Sequence, residues 1–169
     1  MSDCCSTSAP VASATAQSAK PKLTCARCGQ PGRFVPTQTL KHQVKPEHLE
    51  AVEAAAFSFC STATCEAVYF DGNGIVLTKA DVRQRIGLKE TEDPVPICYC
   101  FGFTEKMAVE EIRATGKCTI PPRITAEVKA GNCACEIRNP QGSCCLGNVT
   151  AAVKRAMNHA AAELSERST

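Results

Sequence analysis

Residues 59–70 read Phe-Cys-Ser-Thr-Ala-Thr-Cys-Glu-Ala-Val-Tyr-Phe, which sets two cysteines directly before a run of strand-forming residues. The run at Ala67–Phe70 is followed by Asp-Gly-Asn-Gly and then by a second apolar run, Ile75–Leu77. An Asp/Asn/Gly turn between two short apolar runs is typical of a β-hairpin. We therefore predict a hairpin over residues 67–77, immediately after Cys60 and Cys65.

A second cysteine pair lies upstream, at Cys25 and Cys28, so the first half of the chain reads C-x2-C-x31-C-x4-C. Two residues between thiolates allow a tight turn that directs both sulfurs at one ion, and zinc takes four such ligands in a tetrahedron. The pattern predicts a structural zinc bound by Cys25, Cys28, Cys60 and Cys65. Four ordinary core cysteines and a thioredoxin-type redox pair are weaker alternatives, the latter because no βαβ context is visible.

The cysteine content of the whole chain supports a metal protein. The 169 residues include 13 cysteines, which indicates either a secreted disulfide scaffold or an intracellular metal site. Residues 1–20 are rich in Ser, Ala and Thr and lack the apolar core of a signal peptide. No stretch approaches the ~20 apolar residues of a membrane span. We expect a cytoplasmic protein without membrane insertion, whose thiols serve as ligands.

Other functional classes find little support in the sequence. A net charge of +2 and an aromatic content of 5% give no indication of nucleic-acid binding. The sequence has no P-loop, no G-x-G-x-x-G and no Ser/His/Asp set. We therefore expect no enzyme and no catalytic residues. His42, His48 and His159 are isolated and are interpreted as surface or hydrogen-bonded side chains rather than ligands.

The order of elements predicts an α+β chain in three parts. Residues 1–22 are low in complexity and are expected to be a disordered tail. Residues 23–90 are expected to form a small, β-rich zinc-binding unit of ribbon or treble-clef type. Residues 91–169 are expected to form a small helical unit. The charged, proline-containing segment 88–97 is interpreted as the linker between the two units.

Local signals place further elements in the first unit. Residues 33–44 suggest one or two short strands broken near Pro36. Pro46–Glu53 suggests a short helix with proline in its first turn. Residues 80–86 suggest a helical turn.

Local signals in the second unit are helical. Thr104 is expected to cap a helix that ends at Gly116, and Pro121-Pro122 to start another that ends at Gly131. Residues 131–145 are expected to be a loop with a turn at Asn139. A last helix is expected over residues 146–163, and its apolar positions recur at helical spacing. These positions are Val149, Val153, Ala156, Ala160 and Leu164.

A second cysteine set begins with the C-x-C pair Cys98 and Cys100. A C-x-C pair with distant cysteines suits a two-iron cluster, which needs thiolates on opposite sides. Cys100 precedes one predicted helix by four residues, and Cys145 immediately precedes another, so two positive helix ends would face an anionic centre. Spacing alone does not decide whether Cys133 or Cys135 is a ligand, or whether Cys144 or Cys145 is. Cys118 is interpreted as a buried spare thiol.

The combined motifs resemble those of the CopZ-type copper chaperones that carry a zinc and a [2Fe–2S] cluster. The second half also resembles the small helical fold of bacterioferritin-associated ferredoxins. The shared motifs span most of residues 23–150. They are Cys25-x2-Cys28, Phe59-Cys60-x4-Cys65, Val68-Tyr-Phe70, Cys98-Tyr-Cys100 and Cys135-x3-Asn139-Pro-x-Gly142-x-Cys144-Cys145.

This resemblance implies two ligand sets. Zinc would be bound by the first four cysteines, Cys25, Cys28, Cys60 and Cys65. A [2Fe–2S] cluster would be bound by Cys98, Cys100, Cys135 and Cys145. Cys133 and Cys144 would then be spare or neighbouring thiols.

The resemblance also implies a role in copper or other soft-metal homeostasis. The cluster would donate one electron to an incoming ion before delivery to a soft-metal transporter or to a separate copper-binding domain protein. Thiolates prefer Cu(I) to Cu(II), so Cu(I) is a further candidate ligand. The alternatives are a small electron-transfer or iron–sulfur carrier protein with no copper role, and a structural adaptor whose metals only hold the fold.

Two features remain outside this interpretation. Chaperones of this family end in a copper-binding βαββαβ domain with its own C-x-x-C, whereas this chain is expected to stop soon after its last helix. The copper transfer step is therefore not carried over residue by residue. Cys4 and Cys5 form a vicinal pair in the tail, either a clamp for a soft ion such as Cu(I) or Hg(II) or two incidental thiols.

Overall fold

The computed structural model describes residues 22–166, with side-chain positions up to residue 162. The predicted tail, apart from Lys22, and the Cys4-Cys5 pair therefore lie outside the described residues. Within them, no helix combines the length and the apolar character that crossing a bilayer requires.

The first part of the chain is built on a four-stranded antiparallel sheet with strands in sequential order. The hairpin predicted over residues 67–77 is confirmed by the third and fourth strands. Its turn is closed by Asp71, whose Oδ1 accepts the N–H groups of Asn73 at 3.0 Å and Ile75 at 2.7 Å. The strands are β1 (Arg33–Val35), β2 (Phe57–Phe59), β3 (Ala67–Phe70) and β4 (Val76–Thr78).

The prediction of one or two strands over residues 33–44 is wrong after Pro36. Only β1 is extended, and helix α1 (Thr37–Gln43) follows it. Leu40 is 0% exposed, and Thr39 and Gln43 are buried on the same side of α1. Burial at this helical spacing outweighs the weak strand preference of the threonines, because tertiary packing overrides intrinsic propensity.

The helix predicted at residues 46–53 is confirmed. Pro46–His48 form a 3₁₀ turn that continues into α2 (Leu49–Ala54). The helical turn predicted at residues 80–86 is confirmed only as a 3₁₀ turn at Lys79–Asp81, which Thr78 caps. A further 3₁₀ turn at Gly87–Lys89 precedes the second unit.

The second part of the chain is mostly helical, with a two-stranded hairpin that the sequence did not predict. Gly102, with φ of +69°, lies in the turn between its strands, a conformation that glycine adopts without steric cost. The elements are β5 (Pro96–Cys98), β6 (Phe103–Thr104), α3 (Glu105–Thr115), α4 (Ile120–Lys129), α5 (Cys135–Arg138) and α6 (Leu146–Glu166).

The helix ends follow the local signals. The Thr104 hydroxyl accepts the N–H of Met107, and Gly116 ends α3 at φ of +71°. The predicted start of α4 near Pro121 and its end before Gly131 are also confirmed. The prediction of a loop over residues 131–145 is wrong in one respect, because this segment contains the short helix α5.

The long last helix is confirmed, and its apolar face packs into the core of the second unit. Val149, Val153 and Ala156 are buried there, and Ala160 is partly buried against the same cluster. The side chain of Leu164 lies beyond the described side chains.

The segment predicted as a linker is packed rather than free. Arg85 donates to the carbonyls of Glu92 at 2.6 Å and Pro94 at 3.0 Å, and it pairs with the Glu90 carboxylate at 2.7 Å. The N–H of Glu105 donates to the carbonyl of Val95 at 2.9 Å. Residues 85–95 therefore connect the two units through ordered contacts.

Shortening Leu40 tests the helical assignment of residues 37–43. Leu40→Ala should lower the free energy of unfolding by about 2–5 kcal/mol, because it opens a cavity between α1 and the sheet. The measurement is urea unfolding of the zinc-loaded protein followed by circular dichroism.

Lys41→Ala is the matched control on the next residue, since Lys41 is exposed and pairs with Glu53 at the surface. Its effect should stay within about 0.5 kcal/mol. Equal costs for the two substitutions would contradict the burial of Leu40 on the inner face of α1.

Candidate metal centres

The first four predicted ligands are brought together at one end of the sheet. Cys25 and Cys28 lie on a turn before β1, where Gly29 has φ of +71° and its N–H donates to the Cys25 carbonyl at 2.8 Å. Cys60 directly follows β2, and Cys65 lies two residues before β3. All four Sγ atoms lie within 4.8 Å of one another, a group called here the first cage.

The size of the first cage fits a single tetrahedral ion. The Sγ atoms of Cys25 and Cys65 are 4.0 Å apart, and those of Cys28 and Cys60 are 3.6 Å apart. A zinc–sulfur distance of ~2.3 Å implies an edge of about 3.8 Å for a tetrahedron of sulfurs. Cys25 and Cys60 are each 1% exposed. The donor set is thus closed, as structural zinc sites are.

Hydrogen bonds and burial distribute the protons of these thiols unequally. The Thr62 hydroxyl and then the Gln30 N–H lower the pKa of Cys28 to about 6. Burial raises the pKa of Cys60, and it raises the pKa of Cys65 to about 12. The thiolate form is therefore favoured at Cys28 and the thiol form at Cys60 and Cys65.

A buried lysine lies beside the first cage. Lys89 is 7% exposed, and its Nζ donates to the carbonyls of Thr62 at 2.7 Å and Cys65 at 3.1 Å. Its positive charge acts against the burial effect on Cys60 by favouring the thiolate. Four thiolates around one divalent ion carry a net charge of about −2, which a nearby buried cation stabilises. Sequence reasoning missed Lys89 because it stands in a charged segment with no motif.

The second predicted set of four cysteines is arranged in two pairs, called here the second cage. Cys98 ends β5, Cys100 lies in the β5–β6 turn, Cys135 begins α5, and Cys145 directly precedes α6. The Sγ atoms of Cys100 and Cys135 are 3.5 Å apart, and Cys98 and Cys145 are near enough for each thiol to shift the pKa of the other. Among the described residues, only the first cage gathers three or more potential ligand atoms within 4.8 Å. The second cage is therefore wider than a one-ion site.

Backbone N–H groups surround the second cage. The N–H of Ala134 donates to Sγ of Cys100 at 3.4 Å. The hydrogen bond with Cys145 lowers the pKa of Cys98 to about 6, assisted by the N–H groups of Phe101 and Cys100. Burial raises the pKa of Cys135 to about 12. The pKa of Cys145 is raised as well, first by its hydrogen bond with Cys98 and then by burial.

The setting of the second cage is apolar. Cys98, Cys135 and Cys145 belong to the buried core of the second unit, with Ile97 and Phe103 beside them. Cys100 is only partly buried and therefore forms the edge nearest to solvent. Two thiol pairs with N–H donors in an apolar shell fit a [2Fe–2S] group, whose core is anionic and spans two irons.

The remaining cysteines of the second unit lie outside the two pairs. Cys118 is half-buried rather than buried, and its Sγ is 3.6 Å from a carboxylate oxygen of Glu111. Cys133 is half-buried, and Cys144 is exposed. Cys144 is near enough that its charge raises the pKa values of Cys135 and Cys145.

The fold and the two cages define a class of protein. A four-stranded sheet bears a four-thiol cage, and a mainly helical unit bears a second cysteine quartet, which is the layout of a soft-metal-binding protein. Residues 22–83 match the CopZ-type family described as "Zinc binding domain".

The chain is also similar to CopZ of Archaeoglobus fulgidus, both in sequence and in structure. It is 37% identical over 123 residues to the copper chaperone CopZ of Archaeoglobus fulgidus, which is 73% of this chain and 58% of that protein. The chain thus spans less than two thirds of the length of this curated relative. It also resembles the X-ray structure of the A. fulgidus CopZ N-terminal domain, with a TM-score of 0.62 and 33% identity over 73% of this chain and 92% of that one.

This chain belongs to the family of the CopZ N-terminal domain.

The protonation of the first cage predicts how zinc affinity depends on pH. Zinc binds thiolates, so the thiols of Cys60 and Cys65, whose pKa values are raised, must lose their protons on binding. Affinity should therefore rise with pH, with at least two protons released per zinc between pH 7 and 8. Below pH 6, protonation of Cys28 should add about one more proton to the release.

Competition with a chromophoric chelator across pH 5.5–8, under reducing and anaerobic conditions, measures this dependence. Calorimetry in buffers of different ionisation enthalpy counts the protons independently. An affinity that does not change with pH would show that the four thiols do not bind the ion as thiolates.

Proposed function

We propose that this chain is a zinc- and iron–sulfur-binding metallochaperone that acts in cytoplasmic copper or soft-metal homeostasis. Zinc is bound by Cys25, Cys28, Cys60 and Cys65, and a [2Fe–2S] cluster by Cys98, Cys100, Cys135 and Cys145. The observation that carries the proposal is the difference between the two cages. One has the spacing of a single tetrahedral ion, and the other consists of two separate thiol pairs.

The zinc has a structural role in this proposal. The first cage joins the turn before β1 to the ends of β2 and β3, which are distant in sequence. A closed site of four cysteines leaves no position open for a substrate. Structural zinc contributes on the order of 10–16 kcal/mol of apparent binding free energy in small domains. That is comparable to the whole stability of a small domain, so the ion would decide whether the sheet is formed.

The second cage provides the redox chemistry. A [2Fe–2S] group bound there supplies one electron per turnover. The sulfurs of Cys98, Cys135 and Cys145 are buried in an apolar core that keeps water from the site, while the partly buried Cys100 gives electrons a short path to a redox partner at the surface. N–H groups directed at the sulfurs stabilise added negative charge and so favour the reduced state.

Copper is the substrate of this chemistry. A reduced [2Fe–2S] group held by Cys98, Cys100, Cys135 and Cys145 would supply the one electron that converts Cu(II) to Cu(I), and the group itself would be oxidised by one electron. Reduction is useful because soft thiolate ligands select Cu(I). The product is then passed to a soft-metal transporter or to a separate copper-binding domain protein. Similarity to the copper chaperone CopZ of A. fulgidus supports this step.

Metal content tests the two cages separately. Protein purified without oxygen should contain about two irons, two labile sulfides and one zinc per chain. Cys135→Ser should lose iron and sulfide and retain zinc, because Cys135 belongs only to the second cage. Cys118→Ser is the matched control, since its half-buried thiol lies outside both cages, and it should retain all three. Iron retained in full by Cys135→Ser would contradict the ligand set.

Copper reduction is tested by adding one equivalent of Cu(II) to the dithionite-reduced, desalted protein with a Cu(I)-specific chromophoric chelator present. About one Cu(I) per cluster should appear, together with the optical spectrum of the oxidised cluster and the loss of the EPR signal of the reduced cluster. Protein with an oxidised cluster is the control, because it has the same thiols and reports any reduction by thiols alone. Equal Cu(I) yields from both samples would contradict the copper role and favour electron transfer or cluster delivery without copper.

A further inference from the structure

The loop that bears Cys135 is held by buried side chains of the first unit. Nε2 of Gln43 donates to the carbonyls of Ile137 at 2.7 Å and Arg138 at 3.2 Å. The Tyr69 hydroxyl donates to the carbonyl of Pro140 at 2.7 Å. Gln43 is 2% exposed and Tyr69 0%, so these bonds lie away from water.

These contacts supply hydrogen-bond donors that the loop itself lacks. Helix α5 has four residues, too few to be stable alone, and its last carbonyls have no partner within the helix. Gln43 provides two of the missing donors. At Gly142 the loop passes so near α1 that a Cβ atom would lie 2.9 Å from Oγ1 of Thr39 and 2.9 Å from Cδ of Pro36. Residues 135–142 are thus shaped against the first unit.

The other half of the second cage is held in a similar way. Tyr99 stands between Cys98 and Cys100, and its hydroxyl accepts the N–H of Gly87 at 2.9 Å. The backbone contact is close there, because a Cβ atom on Gly87 would lie 1.8 Å from the carbonyl oxygen of Pro96. Two residues later, Lys89 donates to the carbonyls of Thr62 and Cys65 in the loop of the first cage.

We propose that Gln43, Tyr69, Lys89 and Tyr99 are positioning residues that couple the two cages, so that zinc in the first cage slows the loss of a cluster from the second. The proposal rests on the proposed function, because it assumes a cluster on the four cysteines of the second cage. The coupling is reciprocal, since any free energy that zinc adds to cluster binding is equally added by the cluster to zinc binding.

The route of this coupling runs through the loop at residues 60–65. Zinc fixes this loop through Cys60 and Cys65, and the loop carbonyls in turn fix Lys89 and the turn that contacts Tyr99. Cys65 also stands two residues before β3, the strand that bears Tyr69. Without zinc, the acceptors of Lys89 and the anchor of Tyr69 are no longer held, and both halves of the second cage lose their external support.

Tyr69→Phe tests the proposal with the smallest change, because it removes one hydroxyl and keeps the ring. The zinc- and cluster-loaded protein is reduced anaerobically, and iron release to a ferrous chelator is followed. Release should be about tenfold faster than in the unaltered protein, as expected for the loss of one buried hydrogen bond. The EPR spectrum and the midpoint potential of the cluster should shift as well, which a change in overall stability alone would not produce.

Lys89→Met and Lys41→Met form a matched pair of variants. Both replace a lysine by an uncharged side chain, but Lys41 is exposed and pairs with Glu53 at the surface. Lys89→Met should accelerate iron release by a factor of about ten while about one zinc per chain remains, and Lys41→Met should leave the rate within about twofold. If the Tyr69→Phe or Lys89→Met protein loses zinc, the Gln43→Met variant is measured in its place. Gln43 contacts the loop that bears Cys135 and not the first cage.

Hydrogen exchange of iron-free protein provides a readout that needs no cluster. Amides of residues 135–142 should exchange about tenfold or more slowly with zinc bound than without it, and Tyr69→Phe should remove most of that protection while α3 stays protected. A protein that holds no cluster but shows this pattern would refute the proposed function and support the coupling of residues 135–142 to zinc in the first cage. Equal exchange with and without zinc, together with iron release unchanged in all three variants, would overturn the inference.

Discussion

Four sulfur atoms meet at one end of the sheet in the first unit, where the turn before β1, the end of β2 and the start of β3 converge. The Sγ atoms of Cys25, Cys28, Cys60 and Cys65 come within 4.8 Å of one another from positions up to 40 residues apart. The sheet they join has strands of only three or four residues, which a small apolar core alone stabilises weakly. An ion at their centre would outweigh any single packing or hydrogen-bond contribution in this unit, since those amount to about 1–3 kcal/mol each.

The charge of such a site explains features that packing does not. A buried lysine is costly unless it finds partners. Among the described residues, Lys89 donates to the carbonyls of Thr62 and Cys65 and lies 6.0 Å from the centroid of the Phe59 ring, beside the cage rather than against a carboxylate. An anionic tetrathiolate site accounts for that placement. At the second cage, N–H groups lie close to the sulfurs, because these are near the starts of α5 and α6 and beside the β5–β6 turn. Arg138 adds a positive charge there, and its guanidinium donates to the carbonyl of Cys100 at 3.3 Å.

Local sequence signals predicted the elements that depend on neighbours in the chain. Thr104 and Gly116 delimit α3, and the Asp-Gly-Asn-Gly turn delimits the β3–β4 hairpin, because caps and turns are formed within a few residues. The eight cysteines could also be assigned to two sets, although choosing Cys135 and Cys145 needed the resemblance to a family. Helix α1, the role of Lys89 and the support of α5 by Gln43 were not predicted. Each depends on contacts between segments distant in sequence, and no local pattern marks them.

The central claim is that the chain forms two cages of different kinds, one around a single ion and one around a pair of irons. X-ray absorption at the zinc and iron edges of the same anaerobic sample tests it most directly. The account predicts four sulfur neighbours at ~2.3 Å from zinc with no metal neighbour, and iron surrounded by sulfur with a second iron close by. Nitrogen or oxygen ligands on zinc, or iron without an iron neighbour, would contradict it.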